Sequence, residues 1–366
     1  MGNLTQCGGR ITDFGRAAEI PGNISDTSAV EDLVTLSPIP LSVLDLANVK
    51  EGCTSADALA DTERLAVVAE ELGFTRFWVA EHHNMPVVAS TSPPVLIAHI
   101  ASRTSKIRVG SGGVMLPNHA PLVVAEQFAM LEALNPGRID LGIGRAPGTD
   151  QPTAKALRRG ADGFGAEDFP RDVLDVMAML GDVRNPDRPL RLRATPVAAS
   201  HPDIWLLGSS SYSAQLAGML GLRYSYAHHF GNEDPFAVMD LYRREFRPSN
   251  VLSEPYSMLT TSALIADTKE EAEFLAGPAK VMALSLRTGR IGSIVSPEAA
   301  AARGFTEQEL EVLEYLPAIK FVGDRESVVT RIDNLVRAAQ VNEVMFTGST
   351  YSLEDRVRTL KALIAP

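Results

Sequence analysis

The chain has 366 residues, of which 45% are hydrophobic and 22% are charged, which is the composition of a globular protein with one large core or two smaller ones. Its formal net charge of −11 and the absence of a Lys/Arg-rich stripe argue against nucleic acid and anionic membrane surfaces as partners. The two cysteines, Cys7 and Cys53, are too few for a disulfide or zinc framework and favour a cytoplasmic location.

The N-terminal segment has neither the basic region nor the apolar stretch of a signal peptide. No window approaches the run of about 18 uncharged apolar residues that a membrane span requires, so we predict none. Residues 1–36 are interpreted as a loosely ordered N-terminal extension, and residues 37–366 as one folded domain.

From residue 41 onward, short apolar runs alternate with segments of helical periodicity. Strands are predicted at 41–46, 77–80, 106–116, 138–144, 203–210, 222–230, 256–266 and 342–348. Helices are predicted at 55–73, 93–104, 121–137, 170–181, 212–221, 235–246, from 268 onward, at 326–340 and at 353–365. This alternation predicts a parallel sheet in an α/β fold, and its eight units favour a (β/α)₈ TIM barrel over an open doubly wound sheet.

One segment, 285–322, does not fit a single strand-helix unit and is interpreted as an insertion near the seventh strand. In a TIM barrel, functional residues collect at the carboxyl ends of the strands. Polar or glycine residues follow six of the predicted strands, beginning with Asp45 after the first. We therefore predict a functional site at this rim.

The stretch "FWVAEHHNMP" (77–86) places His82 and His83 at the end of the second strand. Successive strand residues face opposite ways, so at most one of the two imidazoles points into the barrel mouth. This argues against a metal ion shared by both, and no metal ligand is assigned. A neutral imidazole there could hold or move a proton near pH 7, whereas the alternative is a solvated strand end.

Glycine-rich segments follow the third and fourth strands. "LGIGRAPG" (141–148) is one residue too long for the dinucleotide fingerprint, and we interpret Arg145 as a phosphate ligand. Gly112 and Gly113 would let a flat ring approach the backbone closely, or would form a bulge. The serines of "GSSSYS" (208–213) begin a helix and form a candidate phosphate seat, although an ordinary helix cap is the alternative.

Four residues are candidates for a substrate pocket at the same rim. Asp45 and Cys53 belong to the end of the first strand and the loop after it, while His228 and His229 repeat the paired histidines at the sixth strand. The alternation argument again allows only one of the paired imidazoles to face the mouth.

Taken together, "FWVAEHHNMP", "IRVGSGGVMLPNHAPLVVAEQF", "LNPGRIDLGIGRAPGTD" and "IWLLGSSSYSAQLAGMLGL" closely resemble the bacterial luciferase-like flavin-dependent monooxygenases, from about Pro40 to Ala365. The resemblance implies a TIM barrel that binds reduced FMN, or coenzyme F420 in a related branch. It implies catalytic roles for His82 and His83, and a non-prolyl cis peptide bond at Gly112–Gly113 beneath the flavin ring. Cofactor phosphate would be held by Arg145, Ser209, Ser210 and Tyr212.

The implied reaction uses reduced FMN and O₂, through a C4a-(hydro)peroxyflavin, to oxygenate a small organic substrate by hydroxylation, epoxidation or aldehyde oxidation. A separate NAD(P)H-flavin reductase and a homodimer are implied partners. The luciferase cysteine and tryptophan near the flavin correspond to Gly144 and His228 here, so aldehyde oxidation with light emission is not carried over. The alternatives are an F420-dependent hydride transfer and a non-catalytic flavin-binding protein.

Overall fold

A computed structural model describes residues 35–157, 167–182, 192–289, 291–315, 318–348 and 350–365. The extension predicted at 1–36 lies almost entirely outside these described residues, and so does residue 366. None of the described helices is long and apolar enough to cross a bilayer.

Eight parallel strands form the wall of a closed barrel. They are β1 (Leu41–Asp45), β2 (Arg76–Val79), β3 (Arg108–Ser111), β5 (Ile139–Gly144), β6 (Asp203–Gly208), β7 (Arg223–Ala227), β8 (Ser257–Ile265) and β10 (Glu343–Thr347). Each strand pairs with its neighbours in this order, and β8 pairs with β10 in parallel, so that the sheet has no free edge. The predicted TIM barrel is confirmed, and the open doubly wound sheet is excluded.

Two short strands stand outside this wall. They are β4 (Val114–Met115), which pairs with β5, and β9 (Phe321–Gly323), which extends the pairing of β8. The sequence analysis predicted β3 and β4 as one strand, because apolar residues stand on both sides of Gly112 and Gly113, where β3 ends and β4 begins.

Thirteen helices surround the barrel in the described chain. They are α1 (Ser55–Glu71), α2 (Pro93–Arg103), α3 (Pro121–Leu134), α4 (Gln151–Leu157), α5 (Phe169–Met179), α6 (Ser211–Met219), α7 (Pro235–Glu245), α8 (Lys269–Leu275), α9 (Gly277–Thr288), α10 (Pro297–Arg303), α11 (Glu307–Tyr315), α12 (Arg325–Ala339) and α13 (Leu353–Ile364). The short α4 was missed by the sequence analysis. Helices α9, α10 and α11 lie between β8 and β9, which confirms the predicted insertion near the seventh barrel strand.

Local sequence signals set the ends of the helices. Thr54 caps α1: its side chain accepts the N–H of Asp57, while the Asp57 carboxylate accepts the N–H of Thr54. This reciprocal arrangement is a capping box, which satisfies two backbone donors that the helix leaves unpaired. Asp324 caps α12 in a similar way by accepting the N–H of Ser327.

The main apolar core lies between the barrel wall and the helices that surround it. Inside the barrel, a second cluster contains Trp78, Trp205, Met258 and Met345, with the two indole rings packed edge to face at 5.3 Å. Because these large side chains fill the barrel interior below its carboxyl-terminal rim, open space remains only above them.

A buried ionic network joins strands at the opposite, amino-terminal end of the barrel. The guanidinium of Arg76 donates to Asp140 at 2.8 Å and to Glu343 at 2.7 Å, and the Trp78 indole N–H donates to the same Asp140 carboxylate at 2.9 Å. Arg108 donates to the other Asp140 oxygen at 2.9 Å. The network links β2, β3, β5 and β10, and its charges compensate one another away from water.

Candidate active site

A cavity of about 370 Å³ opens at the carboxyl-terminal ends of the barrel strands. Its apolar wall is formed mainly by Leu44, Leu46, Trp78, Leu207 and Met345. None of the described residues that line it is an aspartate or a glutamate, although the chain carries 45 acidic residues. The cavity is therefore mainly apolar and lacks carboxylate groups, an environment that disfavours a cationic ligand.

Gly112 and Gly113 line the cavity, and the peptide bond between them is cis. A Cβ atom on Gly113 would lie 2.8 Å from the carbonyl oxygen of Gly142, and one on Gly112 would lie 2.6 Å from a methyl carbon of Leu44. Glycine is therefore required sterically at position 113, where the contact is with backbone, whereas at position 112 the Leu44 side chain would have to move. The two glycines leave bare backbone where a flat molecule can lie against the cavity wall.

A cation and two hydroxyl groups meet at one side of the cavity. Arg145 follows β5, and its guanidinium lies 4.2 Å from the centre of the Tyr212 ring. Ser209 and Ser210 lie between β6 and α6, and both line the cavity. Within the described chain, Arg145 has no carboxylate partner, and neither serine hydroxyl is engaged in a hydrogen bond. These four side chains offer uncommitted donors to an anion.

The amino terminus of α6 is only partly available to such an anion. The backbone N–H of Ser211 already donates to the Glu233 carboxylate at 2.9 Å. Ser210 occupies the cap position without a side-chain cap bond, so its hydroxyl is not used by the helix. The donors open to a ligand are thus the side chains of Ser209, Ser210 and Arg145 more than the helix end.

His82 lines the cavity, and its ring nitrogen Nδ1 is buried without a hydrogen-bond partner in the described structure. Burial lowers the pKa of His82, with the nearby Glu81 acting in the opposite direction and His83 in the same one. Its backbone N–H donates to the carbonyl of Ser90 at 3.1 Å, which fixes the residue at the end of β2. The cavity therefore receives a neutral imidazole.

His83 faces away from the cavity and contacts Glu81 instead. Its Nε2 lies 2.8 Å from Glu81 Oε1, and the Nε2 of His119 lies at the same 2.8 Å from that oxygen. The second oxygen of Glu81 accepts the N–H of Met115 at 3.1 Å. Burial raises the pKa of Glu81, but the hydrogen bonds from His119 and His83 outweigh it, so the net shift is downward.

The second histidine pair is divided in the same way. His229 lines the cavity, and its Nδ1 lies 3.1 Å from the carbonyl of Thr260. His228 lies outside the lining, with its Nδ1 2.9 Å from the Thr261 hydroxyl. Burial, together with the positive charge of Lys320, lowers the pKa of both histidines to about 4. Both imidazoles are neutral around pH 7.

Two residues assigned to the substrate pocket lie elsewhere. Asp45 is buried in β1, where it accepts hydrogen bonds from Thr62 and from Arg356, each at 2.5 Å. Its carboxylate joins the barrel to the surrounding helices α1 and α13 and does not line the cavity. Cys53 lies in the loop before α1, outside the lining, and is not a free cysteine.

Several lining residues escaped the sequence analysis. Met115 and Phe230 lie at the ends of the predicted strands 106–116 and 222–230 but were not assigned to the site, and Ala318 and Ile319 come from the insertion. Ser225, Thr260 and Ser262 lie within β7 and β8. Alternation along a strand divides its residues between two faces. Which of the two faces lines the cavity depends on the strand register, since a shift of one residue exchanges them.

Comparison with known proteins assigns the chain to a family. The sequence matches the family model described as luciferase-like monooxygenase over residues 39–342. The chain belongs to the luciferase-like monooxygenase family. It is 43% identical over 326 residues to the uncharacterized protein YvbT of Bacillus subtilis, covering 88% of this chain and 95% of the relative. It is 39% identical over 328 residues to a luciferase-like monooxygenase of Escherichia coli, covering 90% and 97%.

Among solved structures, apo-MsnO8 matches with a TM-score of 0.82 and 35% identity, covering 89% of this chain and 96% of that one. The oxygenating constituent of 3,6-diketocamphane monooxygenase from Pseudomonas putida, in complex with FMN, has a TM-score of 0.65 at 17% identity. An F420-dependent secondary alcohol dehydrogenase has a TM-score of 0.57 at 15% identity. The last two likenesses show the fold alone.

Two further relatives of the luciferase-like monooxygenase chain have names that state a chemistry. N-acetyl-S-alkylcysteine monooxygenase of Bacillus subtilis is 36% identical over 333 residues, covering 87% of this chain and 96% of the relative. The oxygenase component of a flavin-dependent trigonelline monooxygenase of Acinetobacter baylyi is 24% identical over 336 residues, covering 82% and 92%.

Proposed function

We propose that the chain is an FMN-dependent monooxygenase that uses reduced FMN and O₂ to oxygenate a small organic substrate in the barrel cavity. One observation carries the proposal. Among the described residues, a cavity lining without carboxylates combines an unpaired guanidinium and two free hydroxyl groups at one side with bare glycine backbone and apolar walls elsewhere. That is the donor set that a phosphate group joined to a flat, mostly apolar ring requires.

The residues present fit FMN. Arg145, Ser209, Ser210 and Tyr212 would hold its phosphate, because a guanidinium and hydroxyl donors suit phosphate oxygens. Gly112 and Gly113 would lie under the isoalloxazine ring, where any larger residue would collide with Leu44 or with the Gly142 carbonyl. Reduced FMN, when bound, supplies the electrons that activate O₂.

The protein's own residues would position the reactants and exclude water. The apolar wall of Leu44, Leu46 and Met345 limits the solvent that can share the cavity with a bound substrate. His82 would donate or accept a proton at the reacting centre, because its imidazole faces the cavity and its Nδ1 has no other partner in the described chain. Help of this kind contributes about 10²–10⁴-fold to a rate.

We also propose that a separate NAD(P)H-flavin reductase supplies the reduced cofactor. The trigonelline relative is named as an oxygenase component, and such a component depends on reduced flavin made by another protein. A cytoplasmic location stays a prediction from the sequence.

An F420-dependent oxidoreductase is the second candidate, because an F420-dependent dehydrogenase shares the fold. The side chains proposed to hold the FMN phosphate would hold the phosphate of F420 instead, and hydride transfer would need no O₂. A non-catalytic flavin-binding protein is the third candidate. The cavity-facing imidazole of His82 weighs against it, because a protein that only stores flavin needs no group that can move a proton.

The first experiment is an anaerobic titration of the protein with reduced FMN, followed by oxygen uptake in the presence of candidate substrates. Binding of reduced FMN with substrate-dependent oxygen consumption is expected. Binding of F420 in preference to FMN, with turnover that consumes no oxygen, would contradict the monooxygenase proposal and support the second candidate. Flavin binding without any turnover would support the third.

The phosphate assignment has its own test. Arg145→Ala should weaken FMN binding at least tenfold while changing riboflavin binding little, because riboflavin has the ring but no phosphate. Arg64→Ala, which removes an exposed arginine on α1, is the control and should leave both affinities unchanged. An equal loss for FMN and riboflavin in the Arg145 variant would remove Arg145 from the phosphate seat.

The role of His82 is tested separately from binding. His82→Ala should leave FMN affinity within a few-fold of the wild type and lower substrate-dependent turnover by about 10²-fold or more. A matched loss of flavin affinity and turnover would instead assign His82 to cofactor binding.

A further inference from the structure

Glu81, His83 and His119 form a second group of chemically capable side chains, next to the cavity but outside its lining. Their donor atoms, one carboxylate oxygen and two imidazole nitrogens, all lie within 4.8 Å of one another. Glu81 is 1% exposed, whereas His83 and His119 are 17% and 31% exposed. The group is thus closed on the protein side and reachable from solvent.

The spacing of these donors matches a metal coordination shell. The Nε2 atoms of His83 and His119 each lie 2.8 Å from Glu81 Oε1. Ligands held at about 2.0–2.2 Å from an ion, with angles of 90–110° between them, are separated by roughly 2.8–3.6 Å. The two imidazole nitrogens lie within 4.8 Å of each other, so an ion could replace the two shared protons once the imidazole rings turn toward it.

Two separate parts of the chain supply the ligands. Glu81 and His83 follow β2 and lie on the same side because of the alternation that points His82 into the cavity. His119 follows the 3₁₀ turn Leu116–Asn118 after β4. The second oxygen of Glu81 accepts the Met115 N–H, so the carboxylate is already oriented by the backbone. Such support is typical of metal ligands that are fixed before the ion binds.

We propose that Glu81, His83 and His119 bind one divalent cation of the zinc class. Two imidazoles and one carboxylate favour Zn²⁺ over Mg²⁺ or Ca²⁺, which take oxygen ligands. The ion would tie the end of β2 to the segment after β4 and thereby hold Met115, which lines the cavity. The site does not depend on the proposed flavin chemistry, and the ion has a positioning role.

The experiment uses the full-length, tag-free chain, freed of metal with a chelator and then titrated with ZnCl₂ by calorimetry. One ion per chain is expected to bind. His119→Gln and His83→Gln should each weaken binding at least tenfold, and each glutamine keeps an amide donor for Glu81. The control is His99→Gln, because His99 also contacts a carboxylate, Glu63, but none of the described residues joins that pair as a third ligand.

A second measurement uses only the wild type and does not depend on variants that fold. X-ray absorption of the zinc-loaded protein should show nitrogen and oxygen ligands, with the multiple scattering of two imidazoles and no sulfur. The proposal is overturned if the wild type binds no stoichiometric zinc, if His119→Gln and His83→Gln bind as tightly as His99→Gln, or if sulfur is found in the shell.

Discussion

Gly142 lies where β5 passes closest to the end of β3. A Cβ atom at this position would stand 2.1 Å from the backbone oxygen of Ser111 and 2.7 Å from a methyl carbon of Leu207. The Ser111 hydroxyl donates to the Gly142 carbonyl at 2.9 Å, which draws the two chains together. The glycines of "LGIGRAPG" therefore serve strand packing at this point, and a nucleotide loop is not needed to explain them.

Gly142→Ala should destabilise the protein, because backbone cannot move aside as a flexible side chain can. We expect a loss of about 1–3 kcal/mol or more in the free energy of unfolding, measured by urea denaturation. Gly144→Ala is the matched control in the same strand, since its new methyl group would meet only the flexible end of Met115 at 3.0 Å. Equal losses of unfolding free energy in both variants would show that the close contact with the Ser111 backbone is not the cause of the destabilisation.

The sequence predicts that the two histidines of each pair face opposite ways, but it does not predict which side chains they contact. Alternation along a strand requires that His82 and His83 face opposite ways, and the same rule separates His228 from His229. Which member faces the cavity depends on strand register. His119 is separated from Glu81 by 38 residues, and no local pattern brings the two together.

Among the elements, α1 is joined to the start of β3 by one carboxylate. Glu70 accepts the backbone N–H groups of Ser105, Lys106 and Ile107, the closest at 2.6 Å. Burial would raise the pKa of Glu70, but these hydrogen bonds outweigh it and lower the pKa to about 2 from its ordinary 4.5. The carboxylate thus orients the chain that enters β3.

Glu70→Gln should therefore reduce stability in a pH-dependent way. Because the pKa is lower in the folded state, the contribution of Glu70 is fully present above pH 4.5 and is lost as the pH falls toward about 2. We expect a loss of about 1–2 kcal/mol near neutral pH, moderated by partial exposure, and a difference from wild type that shrinks on acidification. The exposed neighbour Glu71→Gln is the control. A difference that does not change with pH would contradict the assignment.

Element order was predictable because apolar periodicity reports it directly. Each of the eight predicted strands contains a barrel strand, but α10 and α11 in the insertion were not predicted as helices. The short elements α4, β4 and β9 were also missed. These contain seven, two and three residues, so each is too short for a periodic pattern to emerge. Their positions are decided by contacts with the barrel wall, as in the pairing of β4 with β5.

For the whole molecule, closure of the barrel separates two environments. Its amino-terminal end contains the compensated charges of Arg76, Asp140 and Glu343. At its carboxyl-terminal end, the described part of the chain gives Arg145 no carboxylate partner and places no carboxylate in the cavity lining. Charges at the first end satisfy one another, which is what a structural network requires. The uncompensated charge at the second end is what a ligand site requires.

The outer surface carries an exposed apolar stripe on two adjacent helices. Val95 on α2 is 70% exposed, and Val123, Met130 and Leu134 on α3 are 47%, 54% and 68% exposed. The spacing of the three α3 residues places them on one face of the helix. Exposed apolar residues grouped in this way are typical of an interaction surface. In the homodimer that the resemblance implies, a second copy of the chain would cover this surface.

Leu134→Glu should convert a homodimer to monomers if this stripe is the interface. A twofold axis brings the same patch of both copies together, so each substitution introduces two like charges into a surface that excludes water. Sedimentation velocity should give twice the chain mass for the wild type and the single-chain mass for the variant. Leu310→Glu on α11, where the leucine is 48% exposed, is the matched control and should remain dimeric. A monomeric wild type would remove the homodimer itself, while a Leu134→Glu variant that stays dimeric would move the interface to another face of the barrel.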